Sequence, residues 1–114
     1  QFVPKGRKRE IPDLSNASPR MLTKLVKEAE EGLAALSDAL ERNDIEAIDD
    51  WCHRLAGSWG MVHADEPLDE LHELLKSTDV IDENTLRLVI GKVEAMGQVI
   101  ISKSDERIRQ LQDE

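Results

Sequence analysis

Apolar residues recur at spacings of three and four through long segments of this chain, the spacing typical of helices that each bury one face. In the first segment they are Leu22, Leu25, Val26, Ala29, Leu33, Leu36 and Leu40. In the last they are Leu86, Val89 or Ile90, Val93, Met96, Ile100, Ser104, Ile108 and Leu111. No segment alternates apolar and polar residues as a half-buried strand does. The sequence therefore predicts an all-α protein.

Capping signals set the limits of the first two predicted helices. Ser18 precedes Pro19, a pair that favours a helix start with proline in the first turn. Asn43 and Asp44 combine a stop with a new cap. The connection is therefore short, and the second helix must turn back antiparallel to the first. We expect this second helix to run to about Ala64.

Two further helices follow. Asp65 and Pro67 predict the start of a third helix that ends near Lys76, and Asp82 or Asn84 starts the fourth. Each of the four helices carries one apolar stripe. Short connections bury these stripes most simply in an antiparallel four-helix bundle.

Charge divides the chain into two parts. The net charge is −9, but four bases (Lys5, Arg7, Lys8 and Arg9) precede the first acid. Residues 10–114 therefore carry 11 bases against 24 acids, or −13. Such an acidic surface repels nucleic acid and anionic lipid. We expect residues 1–17 to form a flexible basic linker or tail, and residues 18–114 to form one bundle.

The composition also indicates the cellular compartment in which the protein resides. No apolar run approaches the ~20 residues that span a bilayer, and a secretory leader is not evident. Cys52 is the only cysteine, which excludes an internal disulfide and agrees with a reducing compartment. We expect a cytoplasmic, monomeric domain without direct membrane contact. Because the sequence begins with Gln1, we also expect a fragment of a longer protein or a processed chain.

The second predicted helix carries a histidine opposite its apolar side. That side gathers Ile48, Trp51, Leu55, Trp59 and Val62, and we assign Trp51, Trp59 and Cys52 to the core. The neighbours of His53 one and two turns onward are Ala56, Gly57 and Gly60, which have little or no side chain. Glycine inside a helix costs about 1 kcal/mol relative to alanine. Either the glycines permit close helix packing, or they clear a patch where a partner's phosphoryl group reaches the ring.

The order His53, Leu55, Gly57, Ser58 and later Ala64 resembles the histidine-containing phosphotransfer (HPt) family, whose pattern is His-x-Leu-Lys-Gly-Ser, an apolar stretch, then Gly-Ala. The resemblance covers roughly residues 18–114. It implies a phosphorelay carrier that takes a phosphoryl group from a receiver-domain aspartate and passes it to another. It also implies receiver domains as partners, and a common place for such domains is the C-terminus of hybrid sensor kinases.

Two positions depart from the family pattern. Ala56 stands where the family has a lysine that offsets the charge of a phosphorylated ring, and His63 replaces the later glycine. Arg54 lies about 100° around the helix from His53, so it reaches a phosphoryl group only by bending back. His63 lies roughly 15 Å along the helix axis, too far to replace the lysine.

Acidic residues precede the histidine. Asp49 and Asp50 lie one turn before His53, and Glu46 lies two turns before it. Either aspartate can accept a hydrogen bond from one ring nitrogen and leave the other for attack, or the three form a solvated acidic face. The sequence offers no Gly-rich phosphate loop and no Mg²⁺ cage. We therefore expect a carrier that binds no ATP or other cofactor, with Mg²⁺ supplied by the partner receiver.

Two alternatives remain open. The absence of the lysine at Ala56 fits a module that docks a receiver domain but has lost efficient transfer. A metal-binding bundle that uses His53, His63, His72 and nearby carboxylates ranks last, because the three histidines share neither a helix face nor an i, i+4 spacing. We therefore assign no metal ligand, and interpret His63 and His72 as surface or boundary residues.

Overall fold

The computed structural model describes residues 11–77 and 80–112. The helices of this part of the chain are α1 (Pro19–Glu41), α2 (Ile45–Trp59), α3 (Glu66–Lys76) and α4 (Glu83–Gln112), with a 3-10 turn (Gly60–Val62) after α2. Strands are absent from the described residues. Helix α1 packs against α2 and α4, and α3 packs against α2 and α4. The predicted all-α four-helix bundle is confirmed.

The predicted caps explain where the helices begin. The Ser18 hydroxyl accepts a hydrogen bond from the Met21 amide at 3.2 Å, with Pro19 in the first turn. The Asp44 carboxylate caps α2 through the Ala47 amide at 3.1 Å. Asp82 is the cap of α4, since its carboxylate accepts from the Thr85 amide at 3.1 Å. Asp65 also precedes its helix, but no capping hydrogen bond to its side chain is found in the described structure.

Helix α2 ends earlier than the sequence predicts. The α-helix stops at Trp59, the 3-10 turn follows, and His63 adopts the left-handed conformation with φ 60°. The Ala64 amide donates to the Trp59 carbonyl at 2.9 Å, and the His63 amide donates to the Gly60 carbonyl. This closure resembles a Schellman cap, in which glycine usually occupies the left-handed position. The prediction that α2 runs to about Ala64 is therefore wrong by one turn.

The core lies between the apolar stripes of the four helices. Its largest fully buried side chains are Trp59, Leu22, Leu25, Leu36, Ile48, Leu55, Leu68, Leu71, Ile90 and Ile100.

Two glycines let the helices approach closely. A Cβ added to Gly32 would lie 2.9 Å from both Leu55 methyl carbons, and one added to Gly97 would lie 2.8 Å from a Leu33 methyl. These distances are shorter than real Cβ contacts, so a side chain at either position would have to displace the leucine that packs there.

Part of the predicted linker contacts the bundle. Pro12 is buried, the Asp13 amide donates to the Val62 carbonyl at 2.8 Å, and Leu14 and Ala17 pack against the core. Residues 1–10, which carry the basic cluster, lie outside the described residues. Among the helices of the described part of the chain, none is long and apolar enough to cross a membrane.

Candidate functional site

His53 lies in the middle of α2 and faces away from the core, with 59% of its side chain exposed. The buried residues of the same helix are Ile48, Cys52, Leu55, Ser58 and Trp59. These occupy the opposite side, because each residue advances about 100° around the helix. The imidazole is therefore open to a partner while its backbone is fixed by a packed helix.

The space beside the ring is open. A Cβ built on Gly57 would find no heavy atom of another part of the fold within 4 Å. One built on Gly60 would meet only the Asp65 carboxylate, at an ordinary 3.7 Å. Close packing among the described residues thus does not account for Gly57. The surface above Gly57 is an open groove between α1 and α2.

A carboxylate contacts the ring. Asp49 Oδ1 lies 3.4 Å from His53 Nε2, one helical turn away, and both side chains are partly exposed. In a neutral ring, a carboxylate at this distance favours the tautomer that has its N–H on the nearer nitrogen. The other nitrogen of the neutral ring keeps its lone pair for chemistry. Asp50 and Glu46 are exposed on the same half of α2.

The structure directs Arg54 away from His53. Its guanidinium carbon lies 4.0 Å from the centre of the Trp51 ring, an arrangement typical of a cation–π contact. Trp51 is only partly buried and packs against the core from outside its buried set, so its assignment to the core is confirmed only in part. It lies at the edge of the apolar stripe, where one ring face covers the core and the other is accessible to the arginine. Ala56 is partly buried against the core and adds no charge.

The structure places His72, which the sequence predicts to be a surface or boundary residue, next to the ring of His53. His72 projects from α3 beside His53, with the two ring centres 5.1 Å apart and the ring planes inclined by 69°. Its Nδ1 is buried and has no hydrogen-bond partner among the described residues. The two histidines lie 19 positions apart and meet only because α3 packs on α2. The amphipathic pattern of α3 was a signal, since His72 follows the buried Leu71 directly.

Cys52 fixes α2 against α3. Its thiol donates to the Leu68 carbonyl at 3.3 Å, and the side chain is 2% exposed. Burial, together with the nearby charges of Asp49 and Asp69, raises the pKa of this thiol to about 11. The assignment of Cys52 to the core as an unreactive residue agrees with this placement. His63, by contrast, is exposed beyond the end of α2.

The chain is thus an acidic helical bundle that presents an accessible histidine from the middle of one helix. Comparison with known families gives the specific assignment, because the family model of the Hpt domain matches residues 20–113. The chain belongs to the Hpt domain family, whose members take part in phosphotransfer within two-component phosphorelays. Comparisons with curated proteins and with solved structures give no match.

Proposed function

We propose that this domain is a phosphorelay carrier and that His53 is its phosphoacceptor. The observation that carries the proposal is the open surface at the ring. His53 is exposed opposite the buried stripe of α2, and the space over Gly57 is empty. A receiver domain can therefore bring an aspartyl phosphate up to the imidazole without displacing part of the bundle. The residues assigned to the docking surface are Glu46, Asp49, Asp50, Arg54, Ala56, Gly57 and Gly60.

The proposed step is a transfer between two side chains. The unprotonated ring nitrogen of His53 forms the N–P bond, and the P–O bond to the receiver aspartate breaks. The departing carboxylate keeps the electron pair of that bond. The proton on the other ring nitrogen remains there, and Asp49 stabilises it when it faces the carboxylate. The reverse step passes the phosphoryl group to a second receiver.

Positive charge for the transferred group comes mainly from the partner in this proposal. Ala56 provides none, and Arg54 lies over Trp51. Mg²⁺ bound by the receiver would neutralise the phosphoryl oxygens. Lys24 of α1 lines the same shallow groove as Arg54 and Gly57, and adds a cation at the edge of the docking surface. The domain itself then needs no ATP site or cofactor, and we place its activity in the cytoplasm.

A second candidate function is docking without efficient transfer. The observation that favours it is Ala56, since a charge-assisted hydrogen bond of the kind a lysine makes contributes about 1.5–3 kcal/mol. A domain without that contact retains the bundle and the open surface. Its phosphohistidine is formed more slowly or is lost faster.

Incubation with phosphorylated receivers tests the proposal. A panel of receiver domains from the source organism is charged with labelled phosphate, and the domain is then examined for acid-labile, base-stable label. We expect label in the wild type and none in His53→Gln. The matched control is His63→Asn, which replaces an exposed histidine with a residue that tolerates the left-handed conformation, and it should retain the label. Label in His53→Gln overturns the site, and binding without label across the panel establishes the docking function instead.

A further inference from the structure

We propose that Asp49, His53 and His72 form a site for a transition-metal ion such as Zn²⁺, and that the bound ion withdraws His53 from phosphoryl transfer. The three side chains can each direct one ligand atom so that all lie within 4.8 Å of one another. Two imidazoles and one carboxylate are the donors of zinc sites that leave a fourth position open. The metal site stands on geometry alone, whereas its effect on transfer rests on the proposed function.

One edge of the site already has the right length. Zinc binds nitrogen and carboxylate oxygen at about 2.0–2.2 Å, so two ligand atoms in a tetrahedral shell lie about 3.3–3.5 Å apart. The distance between Asp49 Oδ1 and His53 Nε2 is 3.4 Å. These two residues are one turn apart on a packed helix, so the helix holds this edge. Only His72 must move closer for the shell to form.

The surroundings of His72 permit that movement. Its ring contacts His53 edge to face, and no hydrogen bond to Nδ1 is found in the described part of the chain. A small rotation therefore breaks no polar contact at this atom. The net charge of the chain is −9, and this negative potential attracts a cation.

The donor set distinguishes zinc from magnesium. Mg²⁺ prefers oxygen ligands in octahedral geometry, whereas imidazole suits zinc and copper. The Mg²⁺ that a receiver domain carries should therefore not occupy this site. A zinc ion can therefore bind the carrier domain while the receiver domain keeps its Mg²⁺.

Metal binding removes the nucleophile of His53. A neutral imidazole has one nitrogen with a proton and one with an in-plane lone pair. When the ion binds Nε2, the nitrogen that faces Asp49, the ring proton lies on Nδ1, so no lone pair remains to attack phosphorus. Zinc should consequently behave as a competitor of the phosphoryl donor.

Titration of the 114-residue chain with Zn²⁺ tests the site directly. Calorimetry should show one ion per chain, and NMR should show shifts of the His53 and His72 ring signals. We expect His72→Gln and Asp49→Asn each to weaken binding at least about tenfold. His63→Asn is the matched control and should bind like the wild type, as should the wild type in excess Mg²⁺. Unchanged affinity in both ligand variants, or an equal loss in His63→Asn, overturns the site.

A second measurement tests the effect on transfer. Labelling by a receiver domain is compared with and without Zn²⁺, each variant being scaled to its own rate without zinc. Zinc should inhibit labelling of the wild type and inhibit His72→Gln much less. If zinc binds and labelling of the wild type is unchanged, the proposed inhibition of transfer is contradicted. Zinc binding in a domain that no receiver labels leaves the metal site standing and removes the proposed function, so the two failures are distinguishable.

Discussion

Gly32 and Gly57 are both glycines inside helices, but their surroundings are opposite. At Gly32 an added Cβ would meet Leu55 at 2.9 Å, whereas at Gly57 it would meet nothing within 4 Å. The helix packing of the bundle explains the first glycine and leaves the second without a role inside the chain. A glycine that helix packing does not require therefore marks a surface that is open to a partner. It locates the docking surface around His53.

The largest expected effect is a loss of stability when a side chain is added at Gly32, where α1 packs against α2. Gly32→Leu forces a side chain into the space of the buried Leu55, and overpacking of this kind costs about 3 kcal/mol at its upper range. Urea denaturation should show this loss of unfolding free energy. Gly91→Leu is the control, since Gly91 is exposed on α4 with open space around it, and its unfolding free energy should not decrease, because leucine favours helix more than glycine. Equal stability of the two variants would contradict the packing role of Gly32.

The same substitution at Gly57 should slow phosphoryl transfer without destabilising the fold. Gly57→Leu fills the surface next to His53, so we expect the rate of labelling by a receiver domain to fall about tenfold, or about 1.4 kcal/mol in activation free energy. The unfolding free energy should not decrease, because leucine favours helix more than glycine. Unaltered labelling would show that no partner needs this space.

The end of α2 offers a smaller effect. His63 adopts φ 60°, a conformation that costs non-glycine residues about 1 kcal/mol or more, and the family pattern has glycine here. His63→Gly should therefore raise the unfolding free energy by about 1 kcal/mol in urea denaturation. His63→Asn should give a smaller gain. A loss of stability in His63→Gly would mean that the imidazole makes a contact that offsets this strain.

The smallest expected effect concerns the missing charge. Ala56→Lys places an ammonium group one turn from His53, where exposed ion pairs contribute about 0.2–1 kcal/mol. We expect the lifetime of the phosphohistidine to rise about threefold, measured as the decay of acid-labile label. Ala56→Gln, of similar length but neutral, is the control. Equal lifetimes in the two variants would show that the partner already provides the charge.

The sequence predicted those parts of the molecule that depend on one helix at a time. The apolar spacing and the caps at Ser18, Asp44 and Asp82 gave the helices, and the angle of His53 around α2 gave its exposure. The early end of α2 was missed because a left-handed histidine is unfavourable and has no strong sequence signal. The contact between His53 and His72 was missed because it depends on how two helices pack. Helix periodicity describes one helix and not the register between two.

The most direct test of the central claim is the position of the phosphoryl group after transfer from a receiver domain. Tandem mass spectrometry under neutral conditions, with fragmentation that preserves the N–P bond, distinguishes His53 from His63 and His72. We expect phosphate on His53 alone. Phosphate on His72 or His63, with His53 unmodified, would contradict it.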